Sequence, residues 1–501
     1  MKISKIKFDN YTNLSGVQLN FNSSCNFFVG ENSIGKTNTL RAIHNIYNFI
    51  NFSEQDFFDK TKPIQIEVEF LFRQKYTNLK DKKIKVTIRQ FCGQNIEYFS
   101  NDIFIQELKE QLKLISLNNL ELATKSIDLK RNLSRKALNL FNELSVVKRA
   151  KKYSGLTEIS GDNLPSEGLL YSKFFIVNVL NKMLDTLSNF NGENFQGIII
   201  YSFPEHSLHP FAQKTLIKDL LYIASGQDNG FNRFIDRHYG IKNVDIQLFF
   251  KSHSDRVLSN DYSNIVRFYR QNGQVKVVCG EDVKKGLSGD FHIKKQLEMQ
   301  LPYFSLAIFS RCVILIEGAS EYGALEEFAK TLEIDLDYLA ITIISANGEG
   351  NVPILAKLLR AFKIKVFTIR DRDSSFKQSV GDDFYTDKVD FEDEIVSVIS
   401  PKDIVKVFTL AGIGYMDLEF NSASISRKNA RYNITNKKIT KGVSFLDFNK
   451  SETDRKLFCL TLLGANKSIL TGRAIGKVLK EEQIPSVYKQ VLILAKEYAS
   501  K

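Results

Sequence analysis

Two short apolar runs that both lead into acidic residues constrain this chain more than anything else in it. The first, Cys312-Val313-Ile314-Leu315-Ile316, gives way to Glu317-Gly318. The second, Lys365-Val366-Phe367-Thr368-Ile369, leads to Asp371-Arg372-Asp373. Runs of this length and β-branched content, separated by a helix-patterned segment over 321–332, predict strands of a parallel sheet. In such sheets the carboxyl ends of neighbouring strands open on one crevice. Glu317, Glu321, Asp371 and Asp373 are thereby brought toward one spot. Like charges that close repel unless a cation sits among them, and clustered carboxylate oxygens suit Mg²⁺ or Mn²⁺. Two such ions can clamp the attacking and leaving oxygens of a phosphodiester. Any one of these acids alone reads equally well as a solvated loop residue; the four at this spacing favour a site. A strand at 341–344, a turn-rich loop at 345–350 and a helix at 352–362 complete the same pattern.

The 501 residues suffice for two to four domains. No stretch approaches the ~20 apolar residues that span a bilayer, and the alternating N-terminus, residues 1–8, lacks the apolar core of a signal peptide. The five cysteines, at 25, 92, 279, 312 and 459, include no CxxC pair. A reducing cytoplasm is the expectation, and a cysteine zinc site is excluded. The net charge is +12, and residues 401–501 hold 18 Lys and Arg against 9 Asp and Glu. A basic tail beside a phosphodiester-type metal site points to a nucleic-acid partner, although a generic basic surface accounts for the charge taken alone.

The N-terminal part carries a second pattern. After the strand Cys25-Asn26-Phe27-Phe28-Val29 comes Gly30-Glu31-Asn32-Ser33-Ile34-Gly35-Lys36-Thr37, which has the GxxxxGKT spacing of a P-loop. Gly30 and Gly35 let the backbone wrap phosphates, Asn32 lies in the same binding loop, Lys36 reaches the phosphates, and the Thr37 hydroxyl ligates Mg²⁺, so ATP with Mg²⁺ is the expected ligand. A helix follows over 39–47, then strands over 64–72 and 83–91. Gln55, between them, reads either as a γ-phosphate sensor or as a loop residue. From 102 to 152 the period turns helical, with Leu108, Leu112, Ile115 and Leu122, then Leu133, Ala137, Leu140, Phe141 and Leu144, at helical steps. These helices read as an insert, either a dimerisation arm or part of an intrachain core.

The two acid-tipped strands resemble those of the TOPRIM domain of topoisomerases, primases and OLD-type nucleases. The whole order of motifs is similar to that of the OLD (overcoming lysogenization defect) family of ATPase–nucleases. In this resemblance Ser166-Glu167-Gly168 matches the ABC signature, where Ser166 and Gly168 would contact a nucleotide on the opposite subunit. The strand at 197–201 and Pro204-Glu205 match the Walker B region, but Ser202 and Phe203 stand where that family has two carboxylates. His253 matches the switch histidine. Asp390-Phe391-Glu392 matches a Thr/Ser-x-Glu motif with an acid for the hydroxyl, which makes Glu392 a metal ligand with Glu394 as the competing register. Lys467, chosen over Arg473, supplies the cation that completes the nuclease site.

The resemblance implies an α/β chain: an ABC-type P-loop ATPase lobe over 1–100 and 161–310, split by a helical insert over 101–160. A Rossmann-like TOPRIM domain over 311–410 and a basic extension over 411–501 follow. The implied function is DNA cleavage with two Mg²⁺ or Mn²⁺ ions in anti-phage defence. It also implies weak or absent ATP hydrolysis, a homodimer or larger oligomer, and a partner such as a reverse transcriptase with its retron RNA–DNA or a helicase. Two other readings stand beside it: an ATP-driven DNA-binding machine of the SMC/Rad50 kind, and a sensor module with both sites idle.

Overall fold

The computed structural model describes residues 1–72, 82–117, 134–154, 168–202, 210–253, 261–287, 304–372, 379–416, 418–421, 427–428, 431–432, 443–445 and 451–500. Ser166, Phe203, Glu205 and Asp373, together with Leu122 and Leu133 of the insert, lie outside these residues. The chain divides into two compact units, Met1–Ser288 and Gly289–Lys501.

The first unit contains two sheets. In β1 (Lys2–Asp9) Ile6 and Phe8 face inward while Lys7 and Asp9 face water, the alternation of a strand with one buried face. It pairs antiparallel with β2 (Gln18–Asn20) and β4 (Ile64–Phe72), and β5 (Lys82–Gln90) and β6 (Glu97–Phe99) complete a five-stranded sheet. The second sheet is built on β3 (Cys25–Val29), whose five residues are all buried, as expected of a parallel strand covered on both faces. Its order is β11-β10-β3-β9-β8-β7, with β7 at Leu114–Leu117, β8 at Asn194–Ser202, β9 at Asn243–Lys251, β10 at Ile265–Gln271 and β11 at Gln274–Cys279. The strand ending at Lys251 therefore lies directly between the P-loop strand and the strand ending at Ser202.

The segment 102–152 is not helical throughout. A helix forms at Ile105–Gln111, but residues 114–117 form β7, which pairs in parallel with β8 and sets Ile115 opposite Ile199. A short, mostly apolar run such as Leu114-Ile115-Ser116-Leu117 is ambiguous between helix and strand, and an open sheet edge with unpaired backbone groups decides it. Helices at Arg135–Glu143 and Ser145–Ser154 follow as expected. Their stripe of Ala137, Leu140, Phe141 and Leu144 is fully buried within the unit.

In the second unit, β13 (Ile341–Ser345), β12 (Cys312–Ile316), β14 (Lys365–Arg370) and β15 (Asp383–Tyr385) form an all-parallel sheet in that order. The helix Ala319–Thr331 begins just beyond β12. It is crossed at very short range by the helix Ile469–Val478. A Cβ on Gly472 would lie 1.9 Å from the Ser320 carbonyl oxygen, and one on Gly323 would lie 2.2 Å from that of Ile469. Only glycine allows backbone against backbone here. Leu457, Leu462, Ile475, Tyr488 and Leu492 share one apolar core with Ile314, Phe328 and Ile369, so the helices of 452–499 are part of the same body as the sheet.

Candidate functional site

The carboxyl ends of β12 and β14 are neighbours, and the acids expected there do gather. Glu317, the residue after β12, accepts the Asp371 backbone N–H at 2.9 Å. Asp371, the residue after β14, accepts the backbone N–H of Phe391 at 3.3 Å. That contact brings in the helix Phe391–Val398, whose N-cap is Asp390. Glu321 turns back on its own helix start and accepts the N–H groups of Glu317 at 3.1 Å and Gly318 at 2.8 Å. Its second oxygen accepts the hydroxyl of Tyr488 at 3.1 Å.

The electrostatics bear the marks of crowding. Glu321 is 4% exposed and Glu392 2%. Burial, then the charge of Glu317, pushes the Glu321 carboxyl up to about 8. Burial, then the charges of Glu321, Glu317, Asp390 and Glu392, pushes Asp371 up to about 9. Glu392 is raised by burial and by Asp390, against the pull of Lys467. Acids from three separate stretches of chain thus feel one another through low-dielectric surroundings.

Glu392 and Glu394 are both buried, but they differ in surroundings. Glu392 meets the ammonium of Lys467 at 2.8 Å. Glu394 accepts the backbone N–H of Lys388 at 2.8 Å, and its carboxyl is raised by burial and by Asp387. Lys467 is half exposed and itself raised, with Glu392, Asp390 and Asp371 opposing the effect of its burial. Arg473 instead pairs with Glu326 at 2.8 Å on the outer side.

Asp390 is a structural anchor. One oxygen caps the helix at the Asp393 N–H, and the other accepts Arg431 at 2.9 Å and the Tyr432 hydroxyl at 2.6 Å. Tyr488, Arg431 and Tyr432 were not singled out by sequence. Nothing in local spacing marks a residue 167 positions away as a partner of Glu321.

Among the described residues no three acidic, histidine or cysteine side chains form a ready metal cage. The geometry explains this: Glu321 is occupied by two backbone amides and a tyrosine, and Asp373 lies outside the described residues. The donor chemistry nevertheless fits a hard divalent cation, because buried acids held at raised pKa values are relieved by a positive charge among them.

The first unit holds the second candidate site. Gly30 has φ +132°, and a Cβ on it would stand 2.4 Å from the Phe268 carbonyl oxygen. Gly35, at φ +114°, opens the helix Lys36–Asn48. Lys36 is buried and donates to the carbonyl oxygens of Gly30 at 2.6 Å and Glu31 at 2.5 Å. Asn32, Ser33, Gly35, Lys36, Thr37 and Asn38 line a cavity of about 430 Å³, which Lys251 and His253 close from the end of β9. The P-loop and the switch-histidine position, read separately from the sequence, therefore share one cavity. Gly168 is the first residue of the long helix Gly168–Ser188. No carboxylate of the described residues lines the cavity. The described lining, with the Ser33 and Thr37 hydroxyls, the Asn32 and Asn38 amides, His253 and two lysines, does not fit a carboxylate-held Mg²⁺.

A glycine-rich loop opening a helix after a buried parallel strand, and acids gathered at the ends of β12 and β14, define a P-loop ATPase-type lobe followed by a TOPRIM-type domain. Residues 308–373 match the family described as "Overcoming lysogenization defect protein-like, TOPRIM domain", and the chain carries an OLD-like TOPRIM domain at that place. Among solved structures, the C-terminal region of the Xanthomonas campestris pv. campestris OLD protein is 17% identical, with a TM-score of 0.27, covering 38% of this chain and 97% of that one. The corresponding region of the Burkholderia pseudomallei OLD protein is 14% identical, with a TM-score of 0.27, 38% of this chain and 99% of that one. An Smc head domain derived from Pyrococcus furiosus is 12% identical, with a TM-score of 0.31, 57% of this chain and 98% of that one. No curated protein matches the sequence. No described helix is long and apolar enough to cross a membrane.

Proposed function

We propose that the protein is a divalent-metal-dependent DNA endonuclease of the OLD type, whose P-loop lobe binds a nucleotide and hydrolyses it slowly or not at all. The observation that carries this reading is the convergence of Glu317, Glu321, Asp371 and Glu392 from three stretches of chain, with Lys467 in contact with Glu392. Glu317, Asp371 and Glu392 are the residues that would hold the metal, with Asp373 two positions beyond Asp371 in sequence. Bound there, a divalent cation supplies the Lewis acidity that lowers the pKa of water and neutralises the leaving oxygen. Lys467 faces negative charge developing on a scissile phosphate, the role of a fixed cation in transition-state stabilisation. Lys428 and Arg431 stand near enough to Asp390 and Glu392 for their charges to be felt together, and they extend the cationic side of the site.

DNA as the substrate rests on the +9 balance of residues 401–501, the difference between the 18 basic and 9 acidic residues there. A homodimer and a role in anti-phage defence beside a partner rest on the OLD-like character of the domain. Nicking of supercoiled plasmid with Mg²⁺ or Mn²⁺ tests the central claim. Wild type should cut and Asp371→Ala should not, with unchanged circular dichroism. Cleavage by Asp371→Ala at the wild-type rate would place the activity elsewhere.

A further inference from the structure

The nucleotide cavity contains a second cation, Lys251, at the end of the strand next to the one that would carry a metal-binding acid. Parallel pairing fixes its position: Lys251, the last residue of β9, is in register with Phe28 of β3 on one side and with Ser202 of β8 on the other. Phe28 stands two residues before Gly30, the first glycine of the P-loop, and Ser202 ends the strand from which a metal-binding carboxylate would project. Lys251 is thus held at the mouth of the loop by two strands, and its side chain lines the cavity with Lys36, Thr37 and His253.

A triphosphate carries about four negative charges. Two lysines and the roughly half positive charge of a helix N-terminus oppose most of them without a metal. A divalent cation placed there would meet the Lys251 ammonium and none of the described carboxylates.

We propose that this cavity binds the triphosphate of a nucleotide without magnesium, with the Lys251 ammonium taking the charge-neutralising place of the metal. The inference deepens the nucleotide-binding reading of the P-loop lobe and rests on it. It also predicts weak turnover: a lysine neutralises phosphate oxygens, but it neither binds nor activates a water as a coordinated metal does. Nucleotide then acts as a ligand that favours the state it binds.

Calorimetric titration of the full-length protein with ATP, in excess Mg²⁺ and in EDTA, tests this. Wild type should bind in both, with dissociation constants within about threefold. Losing a charge-assisted contact to phosphate weakens binding by about 10- to 100-fold, so Lys251→Met should show that loss in EDTA. Lys251→Arg, which keeps the charge, should retain most of the affinity, and matching circular dichroism establishes that the variants are folded. Binding by wild type in Mg²⁺ alone overturns the metal-independent site and leaves the nucleotide-binding reading standing. Unchanged EDTA binding by Lys251→Met overturns the role of Lys251. Absence of binding under both conditions, with Lys36→Ala indistinguishable from wild type, overturns the P-loop reading and this inference with it.

Discussion

Asp371→Asn isolates the repulsion held in the carboxylate centre. In the fold Asp371 is pushed up to about 9, against 3.8 for a free aspartate, by burial and then by Glu321, Glu317, Asp390 and Glu392. Between those two values the folded chain holds a proton that the unfolded chain has released. An acid raised in this way contributes stability that is complete at low pH and is lost as pH rises, at about 1.4 kcal/mol per pH unit. From about pH 5 to about pH 8 the metal-free wild type should lose about 4 kcal/mol for each proton this centre retains. Glu321, pushed up to about 8 by burial and Glu317, titrates together with Asp371, so the slope belongs to the pair. Asparagine cannot ionise, and the variant should lose less than about half as much over the same range. Urea unfolding of EDTA-stripped protein, followed by circular dichroism, measures both slopes. Mg²⁺ at about 100 times its dissociation constant adds about 2.7 kcal/mol to a protein that binds it; wild type should gain this near pH 8 and the variant should not. Parallel pH profiles, or an equal response to metal, would falsify the view that Asp371 sits at the centre of mutually repelling, metal-relieved acids.

The remaining predictions concern the surroundings of that centre. Tyr488→Phe removes the hydroxyl donor of buried Glu321 and should destabilise the protein by about 1–3 kcal/mol, measurable by urea unfolding. Lys467→Met should slow plasmid nicking by about 100-fold or more, whereas Arg473→Met, which loses an outward pair with Glu326, should leave the rate within a few fold. Gly472→Ala drives a methyl group into the Ser320 carbonyl and should cost about 1–3 kcal/mol or more, with nicking lost as the helix bearing Glu321 shifts. Reversing Arg427 and Lys428 should flatten the dependence of log K for DNA on log salt by about 2 in a filter-binding or anisotropy titration.

The parts of this molecule legible in sequence were those whose chemistry and local period coincide. The strand Cys312–Ile316 is apolar at every position because both of its faces are covered, and that same run is what made it readable. The P-loop was readable because its glycines answer a steric demand at fixed spacing. The choice between Glu392 and Glu394 was not a matter of pattern. Two residues apart on a helix they point roughly 200° apart, and only the cap at Asp390 and the contact with Lys467 show which one joins the other acids. The acid at 390 in place of a hydroxyl also has its explanation here: aspartate, serine and threonine are interchangeable as N-caps. Residues 114–117 went the other way, since the open edge of β8 overrode a helical period. Tyr488 was invisible because its partner is distant in sequence and only the packed core brings them together.

The crossing of the helices Ala319–Thr331 and Ile469–Val478 sets the order in which the centre is finished. A ribosome makes Glu317, Glu321 and Asp371 long before Lys467 and Tyr488, the latter 167 positions after Glu321. Chains fold as they emerge. Until the last helices are free, Glu321 lacks its tyrosine, Glu392 lacks its lysine, and the helix that seats Glu321 has no glycine-to-backbone counterpart to lie against. The acids are synthesised early and the centre matures late, so a stalled or truncated product carries the residues without the arrangement. An interrupted round of translation then leaves behind a fragment that has the acids but lacks Lys467 and Tyr488.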